Sequence, residues 1–326
     1  MRILVTGASG MLGRATARAL ADRGDDVTVF QRRPAELGLP EVLGDVTDTH
    51  AIGRACEDQD AIVHLAAKVG VVGSAPEFTA ANVDGTANVL AAARAHDVAR
   101  VVHVSSPSVA HAGEPLVGAP AGPADPHGAI GHYPRTKAHA EQLALTAADE
   151  RAVVAVRPHL VWGPGDPQLI GRIVDRARSG RLALIDRGAA LIDTTYLDNA
   201  VDALIAALDH ADEPSVRGRA FVVSNGQPRT VAELLTRICR AAGLPAPTRR
   251  VPLPVAFAGG AAVERLWAKL ERTDDPPMTS FLAEQLATAH WFDQRQTREA
   301  LHWAPQVTLE DGFERLAAWF AEHPDR

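Results

Sequence analysis

A tyrosine and a lysine lie four positions apart in residues 133–137, which read Tyr-Pro-Arg-Thr-Lys. On a helix this spacing places both side chains on one face, and Pro134 suits a first helical turn. The Lys137 ammonium would then lower the pKa of the Tyr133 phenol, which is ordinarily about 10. Because the 326 residues include only three lysines and two tyrosines, chance rarely produces such a pair. The pair predicts proton transfer by Tyr133, although an ordinary structural tyrosine is the alternative.

Serines near the end of a β-branched run offer the second hydrogen-bond donor that a reacting carbonyl oxygen needs. Ser105, Ser106 and Ser108 follow the run that ends near residue 104. Ligands of open α/β folds bind at the carboxyl ends of strands, so these hydroxyls are in a suitable position. Ser106 is the preferred catalytic serine, with the other two as alternates. Each of them could instead only cap a turn.

A glycine-rich segment follows the first apolar run of the chain. Residues 2–6 lead into Gly7-Ala8-Ser9-Gly10-Met11-Leu12-Gly13 and then into a helical pattern. Glycines at these positions allow a tight turn, close approach of backbone amides to a pyrophosphate, and packing of the helix on the strand. We therefore predict dinucleotide binding by Gly7, Ser9, Gly10, Met11, Leu12 and Gly13, against the alternative of an incidental turn.

The end of the second β-branched run distinguishes NADP(H) from NAD(H). An acidic residue there would bind the ribose hydroxyl of NAD, whereas arginine accommodates the 2′-phosphate of NADP. The sequence continues as Gln31-Arg32-Arg33, with no acidic residue before Glu36. This favours NADP(H), with Arg32 and Arg33 as ligands, over NAD(H). The alternative is that both arginines are solvated surface charges.

The elements that position these residues alternate along the first half of the chain. Short apolar runs predict strands at 2–6, 26–30, 60–64, 100–105 and 152–157. Helical spacing predicts helices at 10–23 and 82–96 between them. This alternation is typical of a doubly wound parallel sheet of the Rossmann type, with both faces covered.

A smaller, mostly helical C-terminal lobe is expected to bind the substrate. Helices are predicted near 166–179, 197–209, 230–242, 254–272 and 308–322, and a strand at 220–224. We assign residues 1–165, rejoined by about 191–224, to the NADP-binding domain, and 166–190 and 225–326 to the substrate lobe. The Gly- and Pro-rich segment 107–131 lacks periodicity and is a candidate substrate lid.

Composition and charge exclude several classes of protein. A net charge of −7 argues against nucleic-acid binding. The two cysteines indicate no disulfide framework, and neither they nor the histidines show metal-ligand spacing, so no metal is expected. No run is long enough for a transmembrane helix, and a soluble, cytoplasmic protein is expected.

These motifs, taken in order, resemble the extended short-chain dehydrogenase/reductases over essentially the whole chain. The resemblance rests on the glycine loop, the Tyr–Lys pair and four further motifs: 44–48 (GDVTD), 64–67 (HLAA), 82–86 (NVDGT) and 157–158 (RP). It implies further cofactor contacts from Asp45, Val46, Leu65, Ala66, Ala67, Pro158 and Leu160, beside Tyr133 and Lys137. It also implies that Asn82 supports the active site, and that the protein forms a homodimer.

Within that superfamily the chain is similar to the 3β-hydroxysteroid dehydrogenase-like branch. Residues 157–182 look most like bacterial 2-alkyl-3-oxoalkanoate reductases of olefin biosynthesis, although those carry Thr at position 106. The resemblance implies NADPH-dependent reduction of a lipid-like 3-oxo substrate, and possible association with other olefin-pathway enzymes.

Several alternatives and minor site residues accompany this interpretation. Rival functions are a 3β-hydroxysteroid dehydrogenase, an NAD-dependent sugar-nucleotide epimerase or dehydratase, and a non-catalytic NADP-sensing regulator. Candidate substrate contacts are Asn82, Ser108, His159 and, as a carboxylate clamp, Arg172. Phe257 and Trp267 are candidate walls of an apolar channel, while core packing is the more common role of such a helix face.

Overall fold

A computed structural model describes residues 1–70, 72–111, 113–270, 272, 274, 276 and 278–325. In chain order the strands are β1 Arg2–Thr6, β2 Asp26–Gln31, β3 Glu41–Leu43, β4 Ala61–His64, β5 Arg100–Val104, β6 Leu116–Ala119, β7 Ala152–Pro158, β8 Val161–Trp162, β9 Leu184–Ile185, β10 Leu191–Ile192, β11 Thr195–Tyr196, β12 Ala220–Val223, β13 Arg229–Thr230, β14 Arg250–Val251 and β15 His290–Phe292. The α-helices are α1 Met11–Asp22, α2 Thr49–Cys56, α3 Ala75–Phe78, α4 Gly85–Ala95, α5 His132–Thr146, α6 Ile170–Arg178, α7 Leu197–Asp209, α8 Val231–Ala241, α9 Leu253–Lys269, α10 Ser280–Ala287, α11 Arg295–Ala300 and α12 Leu309–Glu322.

The central sheet is parallel, in the order β12-β7-β5-β4-β1-β2-β3. The strand order reverses beside β1, which opens a crevice at the carboxyl ends of the strands. This confirms the predicted doubly wound α/β fold, and the five strands predicted from the first half of the chain match to within one residue at either end. Such strands are buried on both faces, which is why their sequences are continuously apolar.

Two apolar layers hold helices against this sheet. On one face α1 and α7 pack over Val5 and Val154 of the sheet, and Leu204 of α7 joins them; all three are fully buried. On the other face α2 and α4 cover Leu4, Ile62 and other side chains of the second cluster. Alternate residues of β1 therefore belong to opposite layers, as the two-residue period of a strand requires.

The C-terminal lobe contains a sheet that the sequence pattern did not reveal. Its four strands run in the order β13-β10-β15-β6, and β6 comes from within the candidate lid 107–131. That segment is therefore not structureless, because a 3₁₀ turn at Pro107–Ala110 and β6 both lie in it. The pairing of β6 with β15 joins Leu116 to His290, a contact too distant in sequence to leave a local signal. Helices otherwise dominate this lobe, as predicted.

The two lobes interleave through residues 191–224. Strand β12 pairs with β7 at the edge of the central sheet, and α7 packs on α1, so both return to the cofactor domain. Strand β10 instead joins the second sheet. Helix α6 begins at Ile170 rather than near 166, because the Asp166 carboxylate accepts the amides of Gln168, Leu169 and Ile170 in a turn. Helix α9 ends at Lys269; the predicted end near 272 includes residue 271, which lies outside the described residues.

In the part of the chain that the structure describes, no helix combines the length and the apolar character needed to cross a membrane.

Candidate active site

The glycine loop between β1 and α1 has the shape of a phosphate cradle. Gly7 has φ of +78°, and a Cβ there would lie 2.8 Å from the backbone nitrogen of Ala66. A Cβ at Gly13 would collide with the Gly7 carbonyl. No side chain among the described residues caps the first turn of α1, and Ser9 and Gly10 are exposed, so the amides that begin α1 face the crevice. The loop therefore fits a dinucleotide pyrophosphate.

Residues Leu65, Ala66 and Ala67 follow β4, and the backbone of Leu65 and Ala66 lies against Gly7 of this loop. The Thr6 hydroxyl accepts the amides of Leu65 and Ala66 at 3.2 and 3.1 Å. The same hydroxyl lies 2.8 Å from Nδ1 of His64, whose ring is buried. Burial lowers the pKa of His64 to about 3, so this histidine is neutral and serves as a structural support.

The far end of the crevice carries the arginines that follow β2. Arg32 and Arg33 are both exposed, and an Arg32 nitrogen lies 3.8 Å from a carboxylate oxygen of Asp45. Asp45 is therefore positioned at the same end as Arg32. Val46 is buried against α4, where a Cβ on Gly85 would lie 2.6 Å from its side chain.

An acidic residue that the sequence analysis missed also lies near the end of β2. Glu41 on β3 accepts hydrogen bonds from the Gln31 side chain and from the Ala35 amide. Its position follows from the pairing of β2 with β3, a strand too short to be predicted from periodicity. Both donors bond the same carboxylate oxygen of Glu41. Glu41 therefore holds the loop that follows Gln31 in place.

Helix α5 and the end of β5 bring Tyr133 and Ser106 together. The Ser106 hydroxyl is near enough to the Tyr133 phenol to lower the pKa of that phenol, and it lies 2.9 Å from the Ser108 hydroxyl. Burial raises the pKa of Tyr133, and the Ser106 hydroxyl partly opposes this. Ser105 points into the core, with its hydroxyl unpartnered among the described residues. Of the three candidate serines, Ser106 is thus the one whose hydroxyl interacts with Tyr133.

The Lys137 ammonium is buried and directed at the backbone. Its Nζ donates to the Val104 carbonyl at 2.6 Å, and only 3% of the residue is exposed. Burial lowers the pKa of Lys137 to about 8, and the carboxylate of Glu141 opposes the shift. The expectation that Lys137 lowers the pKa of Tyr133 is wrong for this structure, because desolvation of the phenol raises that pKa instead.

Asn82 is a buried support in an irregular helix. It lies in a π-helical turn, Thr79–Asp84, that precedes α4. Its side-chain amide accepts from the Lys68 backbone nitrogen at 2.7 Å and donates to the Thr136 hydroxyl at 3.0 Å, and Thr136 lies between Tyr133 and Lys137 on α5. With 1% exposure Asn82 holds backbone and helix in place.

The end of β7 supplies the residues predicted to lie at the nicotinamide. Leu160 has φ of +45° and is 40% exposed, a strained conformation for a branched residue. Pro158 is half-buried, whereas His159 is buried against Phe292 with ring centroids 5.0 Å apart.

A buried ion pair ties this strand end to helix α5. Arg157 on β7 donates to both carboxylate oxygens of Glu141 on α5, at 2.8 and 2.5 Å, and each side chain is 1% exposed. A third Arg157 nitrogen donates to the Gly122 carbonyl. The pair sets the position of α5 relative to β7.

Removing one member of this pair should destabilise the protein strongly. We expect Glu141→Gln to lower the free energy of unfolding by about 3 kcal/mol, because it leaves a buried guanidinium without its counter-charge. Urea denaturation followed by circular dichroism measures this. The double substitution Glu141→Leu with Arg157→Met should recover most of the loss, and equal losses in both variants would contradict the explanation.

The remaining predicted residues lie outside this cluster. Arg172 is exposed on α6, next to Arg176 in the C-terminal lobe. Phe257 is 48% exposed on α9, and Trp267 stacks against Arg272. Neither of these two aromatic side chains is enclosed as a channel wall would be.

A group of possible metal ligands also lies apart from the Tyr–Ser pair. His210, Glu213 and His302 place one ligand atom each within 4.8 Å of one another. The hydrogen bond of 2.6 Å between His210 and Glu213 accounts for part of this contact without a metal.

Comparison with known proteins agrees with this geometry. The model of the NAD dependent epimerase/dehydratase family matches residues 3–224. The chain belongs to this family, the extended short-chain dehydrogenase/reductases. It is therefore an NAD(P)-dependent oxidoreductase, as the resemblance in its motifs implied.

Two known reductases are similar to this chain over most of their own length. The 2-alkyl-3-oxoalkanoate reductase of Stenotrophomonas maltophilia is 42% identical over 98% of this chain and 99% of its own. The enzyme of the same name from Shewanella oneidensis is 38% identical over 96% of this chain and 85% of its own. Among solved structures, the dTDP-glucose 4,6-dehydratase DesIV of Streptomyces venezuelae, with NAD bound, has a TM-score of 0.76 at 25% identity, covering 99% of this chain and 97% of that one.

Proposed function

We propose that this extended short-chain dehydrogenase/reductase reduces the 3-oxo group of 2-alkyl-3-oxoalkanoates to a hydroxyl group, with NADPH as the reductant. The observation that carries the proposal is the near full-length similarity to two reductases of that name. The interaction of Ser106 with Tyr133 supports it, because both hydroxyls could contact one carbonyl oxygen.

The cofactor would lie along the crevice described above. Gly7, Ser9, Gly10, Met11, Leu12 and Gly13 would hold the pyrophosphate, Asp45 and Val46 the adenine, Leu65, Ala66 and Ala67 the bridge, and Pro158 and Leu160 the nicotinamide. NADPH supplies the hydride when bound. The chain's own part is to orient the ketone and to move a proton.

Tyr133 would donate its phenolic proton to the oxygen as the alkoxide develops. Its raised pKa keeps the phenol protonated at neutral pH, which suits an acid in the direction of reduction. Ser106 would donate to the same oxygen. Lys137, with its pKa near 8, is mostly an ammonium at pH 7 and would bind the ribose.

Arg32 should determine the preference for NADPH. We expect Arg32→Ala to raise the KM for NADPH about tenfold or more, because a charge-assisted hydrogen bond to the 2′-phosphate is lost. The KM for NADH should change little. Steady-state rates with both cofactors measure the difference, with the exposed Arg18→Ala on α1 as the control. Equal losses for NADPH and NADH would refute the preference.

Turnover assays test the substrate. NADPH oxidation should follow addition of a 2-alkyl-3-oxo acid at a much higher kcat/KM than addition of a 3-oxosteroid. A preference for the steroid would favour the 3β-hydroxysteroid dehydrogenase alternative. Tightly bound NAD after purification, with epimerisation of a nucleotide sugar, would favour the sugar-nucleotide alternative. If the protein binds NADPH normally but turns over none of these substrates, the result would favour the non-catalytic NADP-sensing regulator.

The assembly and location of the protein complete the proposal. We propose a cytoplasmic homodimer that packs through helices of the cofactor domain, where α5 exposes Leu143. Association with enzymes that make or consume its acid substrate is also part of the proposal. Light scattering after size exclusion tests the dimer.

A further inference from the structure

Three buried histidines from separate elements converge beyond the end of β7. His111 follows the 3₁₀ turn after the serines, His159 follows Pro158, and His290 begins β15. The ring centroids of His111 and His290 lie 5.3 Å apart, and those of His159 and His290 lie 6.1 Å apart. Their exposed fractions are 6%, 8% and 3%. The sequence separations show that only the tertiary fold brings them together.

Most ring nitrogens of this cluster form no hydrogen bond with the described part of the protein. Both ring nitrogens of His111, Nδ1 of His159 and Nε2 of His290 have no hydrogen-bond partner among the described residues. The Asp193 backbone favours the charged form of the His159 ring, and Nδ1 of that ring has no partner among the described residues. Buried polar atoms are nearly always paired in folded proteins, so four unpaired nitrogens in one place point to a ligand.

We propose that His111, His159 and His290 bind the acid group of the substrate, as a carboxylate taken up together with one proton. This inference rests on the proposed function and identifies which part of the substrate the histidines recognise. In a 3-oxo acid the carboxyl carbon is two bonds from the ketone carbon. A carboxyl subsite must therefore adjoin the oxygen-binding pair Ser106 and Tyr133, and His111 and His159 follow the two strand ends that carry Ser106 and Pro158.

The charges around the cluster explain why a proton accompanies the acid. Burial lowers the pKa of His159 to about 3 and of His290 to about 4, and lowers that of His111, so the free rings are neutral. The histidines disfavour one another's charged forms, whereas Glu284 on α10 favours that of His111. Asp193 presents its backbone carbonyl to His159, while its own carboxylate is held by Ser224 and backbone amides.

A bound carboxylate reverses this balance. An opposite charge within contact raises the pKa of an imidazole, so a ring that is neutral in the free protein becomes protonated in the complex. The protonated imidazole and the bound carboxylate are then neutral as a pair, which avoids the cost of burying a lone anion. Affinity for the acid must therefore fall as pH rises, because fewer protons are available for uptake.

The experiment compares an acid with its neutral ester in the oxidative direction, where the substrates are stable. The protein, with NADP⁺, is assayed on a 2-alkyl-3-hydroxy acid and on its methyl ester. We expect the acid-to-ester ratio of kcat/KM to fall about tenfold from pH 6 to pH 8. Titration of Tyr133 and Lys137 affects both substrates and cancels in this ratio.

Variants assign the effect to the cluster. His290→Gln and His159→Gln should each lower the ratio at pH 6 about tenfold and flatten its pH dependence, since glutamine does not titrate in this range. His50→Gln, an exposed histidine on α2, is the matched control and should leave the ratio unchanged. Thermal melting and NADPH binding show whether each variant folds. If neither variant folds, the pH dependence of the wild-type ratio tests the histidine subsite by itself.

Two failures are distinguishable. A ratio that is independent of pH in the wild type, or equal effects of the variants on acid and ester, overturns the histidine subsite and leaves the proposed reductase intact. Failure of the wild-type protein to oxidise either compound overturns the proposed function, and this inference with it.

Discussion

Replacing Tyr133 by phenylalanine is expected to lower kcat/KM for reduction about 10³-fold while NADPH still binds. The phenol is the group that would protonate the developing alkoxide, and loss of a positioned acid typically costs 10²- to 10⁴-fold. Phenylalanine keeps the ring and its packing and removes only the hydroxyl that Ser106 contacts. Steady-state kinetics and NADPH fluorescence titration measure the two quantities separately.

The other tyrosine provides a matched control. Tyr196 is buried beneath Trp162 with ring centroids 5.4 Å apart, and its hydroxyl interacts with Arg315 in the C-terminal lobe. Tyr196→Phe should therefore change stability slightly and kcat/KM less than twofold. Comparable losses of activity in the two variants, or full activity of Tyr133→Phe, would remove Tyr133 from the mechanism.

Replacing Lys137 by methionine should lower kcat/KM about 10²-fold and change its dependence on pH. In the wild type the pKa of Lys137 is lowered to about 8, so the ammonium is present below pH 8 and lost above it. Reduction that depends on the ammonium must therefore slow as pH rises through about 8. Lys137→Met should lose this descending limb. Rates between pH 6 and pH 9.5 at saturating NADPH provide the test.

An activity loss in Lys137→Met should not reflect unfolding. Methionine removes a charge that burial penalises, so the thermal midpoint should stay the same or rise. Lys269→Met, on an exposed part of α9, is the control for removing one of the three lysines. A descending limb near pH 8 that persists in Lys137→Met would assign it to another group.

Local sequence was sufficient for the cofactor half of the molecule. Its strands are continuous apolar runs because both faces of the sheet are covered, and β1, β5 and β7 were predicted nearly to the residue. The glycine loop was recognisable because Gly7 and Gly13 lie against backbone, where no side chain fits. The Tyr–Lys spacing was recognisable because a helix places both residues on one face.

Long-range contacts account for what the sequence analysis missed. Strand β6 is four residues long, and its partner β15 lies far along the chain. The ion pair between Glu141 and Arg157 and the position of Glu41 depend on elements that meet only in the folded protein. The histidine cluster is the clearest example, because His111, His159 and His290 share no local pattern.

The amino-acid sequence by itself determined the α/β fold, the phosphate loop and the Tyr133–Lys137 pair, since each depends on neighbours a few positions apart. Tertiary structure decided which serine contacts the tyrosine and that burial, more than Lys137, sets the pKa of the phenol. It also decided which histidines meet beyond the end of β7. These properties depend on desolvation and on contacts between distant segments, and both arise only when the chain packs.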